Sequence, residues 1–248
     1  MRTNTITKPQ GEIIQFPVAL QEIFYEPEIK SARTNSPLKS NGQPKATPAD
    51  PIRSEEDLHK MQQYFLDKKQ YRNYLLLTLG VSFALRAGDL LSLDITDVYN
   101  DDGTVRDELC LYEDKTNKRN RIKINATCKA ALEKYFEMLP EPIYRRDPLF
   151  RSRETDGLGQ PRAITIKQLD NILKKAAKEC GITYHISTHS LRKTFAYLLI
   201  TKYKGDQEVL YTLQYMLNHS DIRTTFRYTG IQNDVASKLR EDVGGMLL

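Results

Sequence analysis

From Ser54 onward, apolar positions recur at helical spacing through most of the chain, interrupted by one stretch that alternates. Leu58, Met61 and Phe65 follow Ser54-x-x-Asp57, a start that resembles a capping box with Asp in place of Glu. The next run, about Tyr71 to Phe83, is almost entirely apolar on its inner face (LLLTLGVSF), so this second helix must be buried. ALRAGDLLSL continues as a turn into a short helix. The pattern then shifts to a period of two. Asp102-Gly103 is a hairpin signal, and LCLYE (Leu109 to Glu113) and RIKIN (Arg121 to Asn125) read as short strands around a polar turn. From Thr127 the helical spacing returns in ATCKAALEKYFEML, TIKQLDNILKKAAKEC, SLRKTFAYLLITKY and EVLYTLQYML. In the last of these, Tyr211 and Tyr215 stand at i, i+4 among Leu210, Leu213 and Leu217 and read as core or near-core. No internal repeat is visible. The pattern predicts an α+β fold, mainly α-helical with a small antiparallel β-sheet.

The ends of the chain read differently. Six of the eleven prolines fall by Pro48, and SARTNSPLKSNGQPKATPADP is polar with no hydrophobic period. Residues 1–52 are therefore expected to be a Pro-rich flexible segment, and residues 53–248 the folded domain with a C-terminal tail. Gly11 to Ile29 is apolar enough to form a short docking element. In the tail, Val235 and Leu239 lie at i, i+4, and the chain closes on Met246-Leu247-Leu248.

Composition narrows the function classes. Hydrophobic residues make up 40%, enough for a core, yet no stretch reaches the ~20 apolar residues of a membrane span. MRTNTITKPQ lacks the apolar centre of a signal peptide. Three separated cysteines, Cys110, Cys128 and Cys180, form no zinc-type spacing and suit a reducing compartment. A reducing cytoplasm is the expected location. The net charge of +5 is only mildly basic, but KTNKRNRIK (Lys115 to Lys123) holds five cations and no acid. A second basic run is YRRDPLFRSR, Tyr144 to Arg153. Basic turns of this kind suit contact with a phosphate backbone, which makes Lys118, Arg119 and Arg121 candidate DNA-binding residues.

Arg86, Lys115, His189, Arg192, His219 and Tyr228 each have an ordinary explanation when taken singly, as a cap, a turn lysine or a packed tyrosine. Their order along the chain has none. Arg in ALRAGDLLSLDITDV, Lys on a β-turn, His-x-x-Arg in HSLRKTFA, then LNHSDIRTTFRYTG: this series resembles the catalytic signature of the tyrosine recombinases, the phage integrase family. The resemblance covers residues 54 to 240 and implies that family's catalytic-domain fold, acting on double-stranded DNA without metal, ATP or other cofactor. It implies paired active-site roles for His189 and Arg192. Residue chemistry agrees with it. Two guanidiniums, always ionised and fork-shaped, suit the non-bridging oxygens of a phosphodiester under attack, as Arg86 and Arg192 would. Tyr228 would be the nucleophile, forming a 3′-phosphotyrosyl bond and releasing a 5′ hydroxyl. Its proton must be removed, with His189 the candidate base, while Lys115 is the candidate acid for the leaving oxygen. His219 would donate a hydrogen bond to the phosphate.

Two departures from the family pattern stand out. Asn218 replaces the usual Gly before the histidine, a change that Asn's tolerance of positive φ accommodates. Asp89 replaces the usual Glu three residues after Arg86. Relatives carry a helical core-binding domain upstream, whereas a Pro-rich segment precedes Ser54 here. The resemblance thus implies either one-sided binding of DNA or a clamp half supplied by another chain or an accessory protein. It also implies a homo-tetramer on DNA and the activity of a mobile-element integrase. The competing readings are a type IB topoisomerase-like DNA relaxase and a truncated integrase that binds DNA without cutting it. Tyr228 follows a polar, β-branched stretch and is expected on an accessible segment.

Overall fold

The computed structural model describes residues 48–114, 118–139, 143–203, 206–229 and 240–243. Lys115, the segment before Pro48 and the tail positions Val235, Leu239 and 246–248 lie outside the described residues.

Helix α1 (Glu55–Asp67) starts where Ser54 Oγ accepts the Asp57 amide at 3.0 Å, with Glu55, Glu56 and Asp57 at the positive end of the helix dipole. It buries Met61 and Phe65. Helix α2 (Tyr71–Phe83) is buried on nearly every side, as its unbroken apolar run requires. Gly80 lets it lie close to a later helix, because a Cβ there would stand 2.5 Å from Leu191 Cδ1. Ala84 ends α2 in the left-handed region at φ 51°. The short α3 (Ala87–Leu91) and α4 (Ile95–Val98) follow, the latter closed by an Asp94/Asp97 capping box.

Strands β1 (Glu108–Tyr112) and β2 (Arg119–Lys123) pair antiparallel, with Leu109 opposite Ile122 and Tyr112 opposite Arg119. The second strand begins two residues before its expected start. Helix α5 (Ala126–Phe136) is capped by Asn125, whose side chain accepts the Cys128 amide. A second hairpin then appears that sequence patterning did not anticipate, β3 (Arg151–Thr155) with β4 (Pro161–Ala163). Its strands are short and polar, and β3 begins within the basic run that reads only as charge. Among the described residues the β content is two separate two-stranded hairpins. Helix α6 (Ile166–Glu179) carries the Thr165/Gln168 capping box and buries Leu169, Leu173, Ala176 and Ala177.

Three further helices follow: α7 (Thr188–Lys202), α8 (Gln207–Met216) and α9 (Ile222–Thr229). A large core gathers α1, α2, α5 and α6 around Leu75, Leu79, Leu132, Phe150 and Leu173. A smaller one joins α7, α8 and α9 through Ala196, Ile200, Leu210, Leu213, Leu217 and Phe226, with Ala84 included. Two expectations need correction. Tyr211 and Tyr215 are exposed, because Leu210, Leu213 and Leu217 occupy the buried stripe of α8 and leave the tyrosines on its outer face. TTFRY lies in a regular helix, α9, held by the burial of Thr225, Phe226 and Thr229.

The boundary expected at residue 52 falls inside packed chain. Ile52 is fully buried, its amide bonds Thr194 Oγ1 at 2.8 Å, and the Asp50 amide bonds the His185 carbonyl.

Candidate active site

The seam between the two cores gathers five chain segments. The left-handed turn at Ala84 presents its carbonyl to Arg192 Nη1 at 2.8 Å, while Arg192 Nη2 bonds the Leu217 carbonyl at 2.6 Å. Arg192 therefore ties α7 to the ends of both α2 and α8. It is buried, and burial lowers its pKa despite the opposing pull of Tyr228.

Helix α8 ends in a Schellman motif. The Asn218 amide bonds the Tyr215 carbonyl and the His219 amide bonds the Gln214 carbonyl, each at 3.0 Å, with Asn218 at φ 51°. An asparagine accepts this left-handed position, as anticipated for the residue that replaces glycine. The motif sets His219 beside α9. Its Nδ1 lies 3.0 Å from Thr225 Oγ1, and its ring meets Tyr228 edge to face, 5.1 Å between centroids. Burial first, then the positive charges of Arg192 and Arg86, push the His219 pKa down. In the neutral tautomer whose Nδ1 accepts from the Thr225 hydroxyl, Nε2–H is a hydrogen-bond donor.

Tyr228 packs against the smaller core with Phe195, Leu199 and Ile222. Burial raises its pKa, and the guanidiniums of Arg192 and Arg86 pull the other way. Lys193 Nζ stands 5.4 Å from the centre of its ring and donates to the Ala49 carbonyl. The tyrosine is thus half-buried on a helix rather than on an accessible segment, with cations close to its phenol.

Arg86 opens α3, where Nη1 donates to Glu113 Oε2 at 2.5 Å and lies 3.9 Å from Asp89 Oδ2. Asp89 Oδ1 accepts the Asp114 amide at 3.0 Å, so Asp89 anchors the hairpin's turn more closely than it holds Arg86. Glu113 was not among the residues singled out from the sequence. The signal was present, because Leu109, Leu111 and Glu113 follow the inward face of β1 at a period of two. An acid in that register needs partners.

The structure thus brings Arg86, Arg192, His219 and Tyr228 together. His189 lies one turn before Arg192 on α7 and is exposed. Lys118 Nζ donates to Asn218 Oδ1 at 3.1 Å, which puts it beside the His219 turn. A cleft of about 360 Å³ there is lined by Lys118, Tyr211, Tyr215 and His219 among others. Arg119 and Arg121 are exposed on the outer face of β2, and Arg121 pairs with Glu108 of β1. Among the described residues no helix is long and apolar enough to cross a membrane.

The fold is that of tyrosine recombinase catalytic domains. It matches the crystal structure of XerA recombinase with a TM-score of 0.56 at 20% identity, over 79% of this chain and 66% of that one. XerH bound to its difH substrate matches at 0.55 and 22% identity, over 81% of this chain and 58% of that one. In sequence, residues 54–234 match the model of the phage integrase family. The chain is 36% identical over 196 residues to a probable integrase/recombinase, YoeC, of Bacillus subtilis, covering 79% of this chain and 97% of that protein. It is 30% identical to the tyrosine recombinase XerC of Caldanaerobacter subterraneus, over 69% of this chain but only 44% of that protein. This protein belongs to the phage integrase family, the tyrosine recombinases.

Proposed function

We propose that this protein is a site-specific recombinase of a mobile element, cutting and rejoining DNA through a covalent bond between Tyr228 and a 3′ phosphate. The observation that carries the reading is the convergence of Arg86, Arg192 and His219 on the Tyr228 phenol from separate segments of the chain. In the forward step the phenol oxygen bonds phosphorus and the bond to the 5′ oxygen breaks. The phenol proton passes to a base, for which His189 is the candidate, and Lys115 supplies the proton to the departing oxygen. Arg86 and Arg192 hold the charge that builds on the non-bridging oxygens, and His219 donates to one of them. Resealing reverses these transfers. The phosphodiester energy is kept in the phosphotyrosyl bond, so the cycle needs no ATP.

Exchange between two duplexes calls for four such sites, and a tetramer on double-stranded DNA is part of the proposal. The exposed Arg119 of the hairpin and Lys118 beside the site support backbone contact. The test traps protein on a nicked suicide substrate and maps the DNA-linked peptide. Attachment at Tyr228 is expected. A peptide bearing Tyr211 or Tyr215, both exposed nearby, overturns the assignment, and binding without any adduct favours a DNA-binding role instead.

A further inference from the structure

Glu113 is 1% exposed at the end of β1, where the inward face of the strand would otherwise continue as leucine. Burying a carboxylate costs several kcal/mol unless donors compensate it, and three segments supply them. Arg86 Nη1 from the α2–α3 turn donates to Oε2 at 2.5 Å. Asn120 Nδ2 from β2 donates to Oε1 at 3.2 Å. Asn218 Nδ2, from the turn that carries His219, donates to Oε2 at 3.0 Å. Asn218 then accepts from Lys118 through its other amide atom. One oxygen of Glu113 is therefore shared by the side chain of Arg86 and the residue adjoining His219.

We propose that Glu113 is a positioning residue for strand cleavage: it orients the Arg86 guanidinium and, through Asn218, fixes it relative to the His219 turn and the β1–β2 hairpin. The inference rests on the recombinase reading above. Glycine at position 218 could make the same left-handed turn but could not reach Glu113, so the asparagine side chain gives this chain a link that a glycine would lack. The arrangement has a cost. A carboxylate against Arg86 repels the incoming phosphate diester, while it holds the fork in one orientation and leaves the remaining guanidinium N–H groups for that phosphate. Removing its charge should therefore slow cleavage without weakening binding. A merely structural role would lower both together.

The experiment compares wild type, Glu113→Gln, Asn218→Gly and the double variant on a nicked duplex that the wild type cleaves. Affinity, single-turnover adduct formation at saturating protein and the melting transition are read for each. Glu113→Gln should slow adduct formation on the order of 10²-fold, as small misplacements of catalytic groups do, with DNA affinity unchanged or higher. Asn218→Gly should slow it about tenfold, the worth of one hydrogen bond to a charged group. The double variant should fall little below Glu113→Gln, because Asn218 acts through Glu113. An adduct rate for Glu113→Gln equal to wild type overturns the proposal. So does a loss of rate matched by a loss of affinity. If Glu113→Gln does not fold, Asn218→Gly decides alone, since glycine accepts its backbone geometry, and an unchanged rate there is equally fatal. A wild type that forms no adduct sinks the recombinase reading as well, whereas adduct formation insensitive to both changes sinks only this inference.

Discussion

At the scale of single residues, Tyr228 and Arg192 separate chemistry from architecture. Tyr228→Phe removes one oxygen and keeps the ring against His219 and Leu199, so stability should change by no more than about 1 kcal/mol. Covalent adduct formation should vanish while DNA affinity stays near wild type. Arg192→Ala should also abolish cleavage, but it strands the Ala84 and Leu217 carbonyls at the seam. A thermal or denaturant melt should then show an added loss of about 1–3 kcal/mol per carbonyl. His219 makes a prediction in pH. Its pKa lies below the ordinary 6.5 in the folded chain, so the unfolded state binds the proton more readily. The stability gained by keeping the ring neutral is therefore present above that value and lost as pH falls through 6.5 toward the lower folded value. His219→Gln should remove this share of the acid sensitivity in melts taken between neutral and mildly acid pH.

At the scale of elements, the α2–α7 contact sets the distance between the turn that bears Arg86 and the helix that bears Arg192. Gly80 is what allows it. Gly80→Val would drive carbon atoms into Leu191 and Leu90, and overpacking of this kind costs about 1–3 kcal/mol. Cleavage should fall more than affinity, because the two guanidiniums move apart while the hairpin does not. The β1–β2 hairpin makes the complementary prediction. Neutralising Lys118 and Arg119 should weaken binding to all sequences alike and reduce the salt dependence by about 0.9 in slope for each phosphate no longer neutralised. Titrations at several salt concentrations read this directly. A sequence-selective effect would mean that these side chains touch base edges instead.

At the scale of the whole molecule, the body starts earlier than its sequence pattern suggests. Ile52 is sealed beneath α7, and Ile52→Ala should cost about 2–5 kcal/mol, visible as a lowered melting transition. Such a loss exceeds what a surface linker residue would give. The helical course of the chain, the pairing of β1 with β2 and the identities of Arg86, Arg192, His219 and Tyr228 were all legible in the sequence. Apolar spacing reports which face of an element is buried, and a series of charged residues in fixed order marks a shared chemistry. The positions of elements without such a pattern were not legible. The β3–β4 hairpin is polar and short, and the first turn of α9 carries Thr224 and Thr225, whose helix propensity is low, so burial against the smaller core decides its form. The two tyrosines of α8 had the spacing of core residues, but the choice between two possible stripes belongs to the neighbours that cover one of them. Sequence alone thus determined the order of the family signature and which elements hold most of its residues. Only the tertiary structure decided that Glu113 joins Arg86 to the His219 turn and that Tyr228 lies half-buried among cations. The bond between Glu113 and Asn218 alone spans 105 positions of chain, and no local period encodes contacts at that separation.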